Sequence, residues 1–258
     1  MIPFVGRSID RCILLYIKEC FTIFNRQILD ELEIEDLLVI PGNQNAPRGQ
    51  ETYISVLPMS DDACAYPFFR QLRDGSNLQT VPRDATYSIQ FYRQGAFWLA
   101  KQFDAWCMSE DGLTYAAKAF SDGRIERIRV LDGGNDIPED SMLSIDGDGM
   151  GAIGRPSIVR GAVAGVQMLN FGHSYSLQPS ITLGNALFVA DGAGFVIEFP
   201  LKIRRLDAIV SDMFEERVQI DLRLRYNLTE VQETGYIETT RGNLCLDGEE
   251  EVTIDADS

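Results

Sequence analysis

The chain has 258 residues, 45% of them hydrophobic, which is room and material for one large domain, or one domain with an insertion, and argues against disorder. Lys and Arg number 23 against 39 Asp and Glu, and the net charge of −16 disfavours a surface whose main work is gripping nucleic-acid phosphates. Cys12, Cys20, Cys64, Cys107 and Cys245 lack CxxC spacing and are odd in number, which argues against a disulfide framework and for synthesis in a reducing cytoplasm. The opening Met1-Ile2-Pro3-Phe4-Val5-Gly6 lacks the basic-then-apolar order of a signal peptide. No apolar run reaches the roughly 18 residues needed to cross a bilayer, so neither secretion nor membrane insertion is expected.

From Ser8 to about Leu32, Ile13, Leu14, Ile17, Phe21, Phe24 and Ile28 recur at three or four residues, predicting one helix with Ser8 as N-cap. Leu37 to Ile40 reads as a short segment ending in a turn at Pro41-Gly42, and residues 43–49 are loop chemistry throughout. Thr52 to Pro58 alternates like a strand, and a polar excursion through Asp61, Asp62, Asp74, Gly75 and Ser76 separates it from a second strand, Ala85 to Tyr92. Helical spacing returns at Ala96, Leu99, Ala100, Phe103, Trp106 and Cys107, and Ser109-Glu110-Asp111-Gly112 is read as its stop. Near the far end, Arg217 to Tyr226 alternates charged and apolar side chains, as a strand with one wet face does, and is expected to close the same sheet.

The intervening chain is Gly-rich with short apolar runs. Residues 123–134 resemble residues 161–172, and each copy is followed by a proline, Pro138 or Pro179, a short strand, and a Gly-rich turn. This predicts a duplicated small β module, separable from the sheet around it.

Candidate chemistry is sparse. His173 is the only histidine, no G-x-S-x-G elbow surrounds a serine, and its neighbours Gly172 and Ser174 suggest a loop histidine. Asp146-Gly147-Asp148-Gly149 could begin a calcium loop, but Ser157 holds the place of the closing acidic ligand, so a solvated turn is the expectation. No catalytic residue, cofactor site or metal site is assigned. The last basic residue is Arg241, after which Asp247, Glu249, Glu250, Glu251, Asp255 and Asp257 form an acidic tail. Such a tail is expected to gain order from a partner that supplies Lys or Arg, or from Val252 and Ile254 adding to a neighbouring sheet edge.

At Pro41-Gly42-Asn43-Gln44-Asn45-Ala46-Pro47, followed by Tyr53-Ile54-Ser55-Val56, the chain resembles the phage neck and tail terminator family, whose members carry a similar Q-N-A-P loop before the first strand. The resemblance extends through Thr86 to Tyr92, the helix Gly95 to Met108, and Glu215 to Leu222. In the insertion, Asn170-Phe171-Gly172-His173-Ser174-Tyr175-Ser176-Leu177-Gln178-Pro179 is similar to an N-x-G-x-x-Y-x-x-x-P turn of small β modules in other phage structural proteins; the first copy has only Gly134 and Pro138 of it.

The resemblance implies an α+β fold with helices on one face of a mostly antiparallel sheet. It implies residues 1–131 and 206–246 as the terminator-like domain, 132–205 as an inserted β-rich repeat module, and 247–258 as the acidic tail. By the same resemblance the chain is a non-enzymatic virion protein assembled in the host cytoplasm. It forms a homo-oligomeric, six-membered ring at the neck or top of the tail, beside tail tube, sheath or connector proteins, with DNA passing through the lumen unbound. An acidic lumen is compatible with sliding DNA. The interaction residues expected from these readings are Asn45, Pro47, Asp247, Glu249, Glu250, Glu251, Val252 and Ile254. The alternative is a particle-borne β module that binds a receptor or carbohydrate through exposed aromatics, with Phe171 and Tyr175 as candidates.

Overall fold

The computed structural model describes residues 8–24, 26–34, 37–42, 52–71, 77–93, 95–210, 213–232, 242–246 and 250–254. Helix α1 (Ser8–Glu19) buries Ile9, Cys12, Ile13, Tyr16 and Ile17 on one stripe. The single helix expected to reach Leu32 is interrupted: Cys20–Phe24 form a π-helical turn before α2 (Arg26–Glu31) resumes. A wider turn advances the apolar stripe by one position, so Leu29, not Ile28, is the deeply buried residue beyond it.

Strand β1 (Leu38–Pro41) runs parallel to β2 (Tyr53–Ala63). After β3 (Phe68–Gln71), β4 (Asn77–Tyr92) pairs antiparallel with β3 through its first residues and with β2 from Arg83 to Tyr92. Much of the expected polar excursion is therefore strand, because its charges have cross-strand partners. Arg83 Nε donates to Asp61 Oδ1 at 2.7 Å, and Tyr226 donates its hydroxyl to Asp61 Oδ2 at 2.9 Å.

Helix α3 (Ala96–Met108) ends as expected, but the residues read as its stop also start α4 (Glu110–Lys118). Ser109 Oγ accepts the Gly112 N–H at 3.0 Å, an N-cap with Glu110 and Asp111 in the first turn. A Cβ at Gly112 would lie 2.1 Å from the Trp106 carbonyl oxygen, so only glycine lets the second helix leave so closely after the first.

The next six strands are β5 (Arg127–Asp132), β6 (Ser144–Asp146), β7 (Met150–Val159), β8 (Ala162–His173), β9 (Ser180–Thr182) and β10 (Leu187–Asp191). They pair as β7 with β8, β6 with β9 and β5 with β10, all antiparallel, one inside the next. Their centre is the two-residue turn Arg160-Gly161, where both φ angles are positive (54° and 76°), as a type I′ hairpin requires. The two similar segments thus lie in β5 and β8, and the copies interleave in one folded-back hairpin instead of forming modules side by side. The outer pair is clamped by Asp191, whose carboxylate receives Arg129 Nε at 2.6 Å and Arg127 Nη2 at 2.9 Å.

Strands β11 (Phe195–Ile197), β12 (Lys202–Arg205), β13 (Ala208–Val210), β14 (Met213–Glu215) and β15 (Arg217–Gln232) follow. Both β11 and β12 pair antiparallel with β15, and β13 pairs with β14. The main sheet has the order β1-β2-β4-β15-β11, and the fold is α+β with mostly antiparallel pairing. The alternation expected in β15 holds: Val218, Ile220, Leu222, Leu224 and Tyr226 are buried, while Arg223 and Arg225 face solvent. Helices cover that apolar face, with Phe91 against Phe103 at 6.2 Å between ring centroids and Tyr87 donating to Asp10 at 2.6 Å.

The chain divides into two compact units, residues 1–67 with 81–228, and residues 68–80 with 229–258. The second contains β3, the beginning of β4, the end of β15, and the hairpin of β16 (Gly242–Leu246) and β17 (Glu250–Ile254). Residues 132–205 do not stand apart in this division. Strands β11 and β12 belong to the main sheet, and Tyr175, Ala190, Phe195 and Ile197 belong to the same apolar core as Ile13 and Phe91.

Phe103 is fully buried, so Phe103→Ala is expected to cost about 3–5 kcal/mol in chemical denaturation; a loss under roughly half a kcal/mol would make α3 peripheral. Replacing residues 132–202 by a Gly-Ser linker is expected to abolish the cooperative melt, because it removes β11 from beside β15. Retention of a sharp transition would show that the segment is dispensable to the core after all.

Candidate functional site

Asn45, Pro47, Asp247 and Glu249 lie outside the described residues. Glu250, Glu251, Val252 and Ile254 lie in β17, where Val252 is opposite Leu244 and Ile254 opposite Gly242. The edge that Val252 and Ile254 meet here is β16 of the same chain. The β-branched residues Val252, Thr253 and Ile254 favour a strand, and Leu244-Cys245-Leu246 supplies the pairing edge.

His173, read as a loop histidine, is exposed at the end of β8, with its Nδ1 3.1 Å from Ser174 Oγ. Among the described residues, no group of three or more His, Cys, Asp or Glu is arranged to hold a metal. The Asp146-Gly147-Asp148-Gly149 turn has a different use from the solvated one expected. Asp148 accepts the backbone N–H groups of Ser176 (3.1 Å) and Leu177 (3.3 Å), receives the Ser176 hydroxyl, and pairs with Arg11 Nη2 at 3.2 Å. Burial opposes its charge, but these donors prevail and hold its carboxyl below the ordinary range. The flanking glycines make room for Tyr175: a Cβ on Gly149 would come within 2.5 Å of its ring. Tyr175 is 1% exposed, and Phe171 lies beneath the Arg124 guanidinium at 5.4 Å, so neither offers the open aromatic face expected of a sugar site.

What the fold brings together, unforeseen in the sequence, is a cleft of about 640 Å³. Its walls come from α1 (Cys12, Glu19), the α3 end and α4 (Trp106, Asp111, Tyr115, Lys118), and the loop residues Phe120, Ser176, Leu177 and Gln178. Asp148 fixes one wall by gathering Ser176 and Leu177, and Gln178 anchors it by donating to the Ala190 carbonyl at 3.0 Å and accepting the Ala190 N–H at 2.7 Å. The opposite wall is stiff because Tyr115 packs on Tyr16 at 5.8 Å. Desolvation pushes the Cys12 thiol up to about 12, so it is not a thiolate nucleophile at neutral pH. Burial likewise raises Tyr115 to about 12, and it raises the Glu19 carboxyl from its ordinary value. The lining is thus suited to hold an apolar group with a polar or cationic end.

Beside the cleft, Asp122 accepts the Arg124 N–H at 3.1 Å through one carboxyl oxygen, while the other is buried with no hydrogen-bond partner among the described residues. Burial raises its pKa to about 6, against the opposing influence of the Arg124 backbone N–H and guanidinium. No protein-family model and no curated protein matches this chain.

The folded state holds the Asp122 proton more tightly than the unfolded chain. Its contribution is therefore fully present below the ordinary carboxyl range and lost as pH rises through about 6. Asp122→Asn keeps the acceptor for Arg124 and is expected to raise stability at pH 7.5 by about 1–2 kcal/mol, with the gain shrinking toward pH 4. Melting curves of both proteins across that range check the sign; a gain that is constant with pH would assign the effect to packing.

Proposed function

We propose that this chain is a structural ring subunit of a tailed-phage virion, placed at the neck or top of the tail, where it closes the tail and joins it to the head connector. The observation that carries the reading is an aromatic run on the surface. Tyr66, Phe68 and Phe69 are 94%, 55% and 59% exposed within four consecutive residues. Single exposed apolar side chains are ordinary, but three exposed aromatic rings within four residues are costly in water and mark a segment that another chain covers.

Two further features support assembly over catalysis. The net charge of −16 suits a lumen that repels DNA phosphates instead of holding them. The α+β arrangement, with helices on one sheet face, is of the kind that the terminator resemblance implies. In this reading the copies associate with themselves, as six, and with tube, sheath or connector proteins, and the chain carries out no reaction. The receptor- or carbohydrate-binding alternative loses its feature, since Tyr175 is interior and Phe171 is covered by Arg124.

The native mass of the purified protein is expected to be a multiple of the 28.9 kDa chain, and negative-stain images are expected to show rings with a central opening. A monomer throughout the micromolar range, in low and high salt, would sink the assembly reading.

A further inference from the structure

The exposed run and the cleft are complementary in chemistry. Phe68 and Arg70 are two residues apart in β3 and therefore share one face, while Phe69 points to the other. That face offers an aromatic ring beside a guanidinium, both exposed. The cleft offers the aromatic side chains of Trp106, Tyr115 and Phe120, and two carboxylates, Glu19 and Asp111, against the single ammonium of Lys118. Its volume of about 640 Å³ lies inside the roughly 300–1,000 Å³ of sites that enclose small ligands, enough for a Phe ring and part of a neighbouring side chain. Leu177, at its rim, is 49% exposed and available to cover an incoming ring.

We propose that the Tyr66–Arg70 segment of one copy docks into the α1–α4 cleft of the next, Phe68 entering the aromatic wall and Arg70 meeting Glu19 and Asp111. This rests on the ring-subunit reading and names the surfaces that make the ring. Segment and cleft are made of different residues, so the contact is head-to-tail, the type that propagates around a ring until the rotation closes. Glu19 fits the role: its carboxyl is held up by burial, and a cation brought beside it relieves that penalty. The apolar part of the contact persists in salt, while the Arg70 part weakens as charges are screened.

The test uses full-length protein with Cys64 and Cys245 changed to Ser, leaving Cys12, Cys20 and Cys107 buried. A Phe68→Cys copy is mixed with a Leu177→Cys copy of distinguishable mass and oxidised. The expected product is a covalent dimer containing one of each, at least about tenfold more abundant than with Phe69→Cys, whose side chain lies on the opposite face. A chain carrying both Phe68→Cys and Leu177→Cys is expected to link between copies, and a link confined within single chains would overturn the proposal. In parallel, Arg70→Glu is expected to weaken association about tenfold, the scale of one charge-assisted pair, and Glu19→Lys with Asp111→Lys in the partner copy is expected to restore it. Native mass separates the failures. Oligomers that form without the Phe68–Leu177 link, and that ignore Arg70→Glu, overturn this contact and leave the ring reading standing, whereas a monomeric native chain overturns both.

Discussion

The ring of Tyr16 is the point on which the larger unit closes. Projecting from α1, it touches Phe103 and Trp106 of α3, Tyr115 of α4 and Phe195 of β11, with centroid separations between 5.4 and 6.0 Å. Edge-on and tilted contacts of this kind add to the area they bury. They also demand that residues far apart in sequence arrive together, since Phe195 reaches Tyr16 only after the chain has run out through the nested strands and back. The end of α4 is joined at the same place: Gly192 donates to the Lys118 carbonyl at 2.9 Å and Gly194 to the Ala119 carbonyl at 2.8 Å. A Cβ on Gly192 would stand 2.2 Å from the Ala119 oxygen, so the approach of the chain after β10 to the helix end requires glycine there.

This closure explains which parts of the fold were legible in the sequence. The strands beginning at Tyr53 and Arg217, the later part of β4, and α3 were legible because a buried face writes its period directly into the chain. The π turn after Glu19 left no such mark, since a one-residue change of phase preserves the apolar composition around it. Helix α4 was misread because Ser, Glu, Asp and Gly belong equally to a stop and to a capped start, and the Ser109 bond to Gly112 decides between them. The pairings made by the end of residues 132–205 were illegible for a different reason. Gly-rich spacing reports on local turns, while the pairing of β11 and β12 with β15 is a long-range fact that no window of sequence contains.

The cleft was illegible for the same reason. Cys12, Tyr115 and Leu177 become neighbours only through α1, α4 and the Asp148 bonds to Ser176 and Leu177. The N-x-G-x-x-Y pattern did carry information, but about architecture. Asn170 Oδ1 accepts the Gly172 N–H at 2.9 Å, Gly172 takes a φ of 67°, and Tyr175 is delivered into the core while its N–H bonds to the Gly123 carbonyl. Asp148, expected in a solvated turn, proves to position a wall of the cleft. Its carboxylate is satisfied by donors from α1 and from residues 176–177, which leaves its lone pairs committed.

The nesting of β5 through β10 also sets an order in time. Closing a long loop costs more chain entropy than closing a short one, and the only pair in this set that closes over two residues is Val159 with Ala162. Once the Arg160-Gly161 turn has formed, β6 needs to find β9 across a segment already zipped, and β5 then finds β10 at little further cost. Each step converts a distant pairing into a local one, so a region of apparently high contact order can assemble as a succession of short closures. Phe195 is brought to Tyr16 at the end of that sequence, so loop-closure entropy leads one to expect the aromatic cluster to be a late event in folding and the Arg160-Gly161 turn an early one.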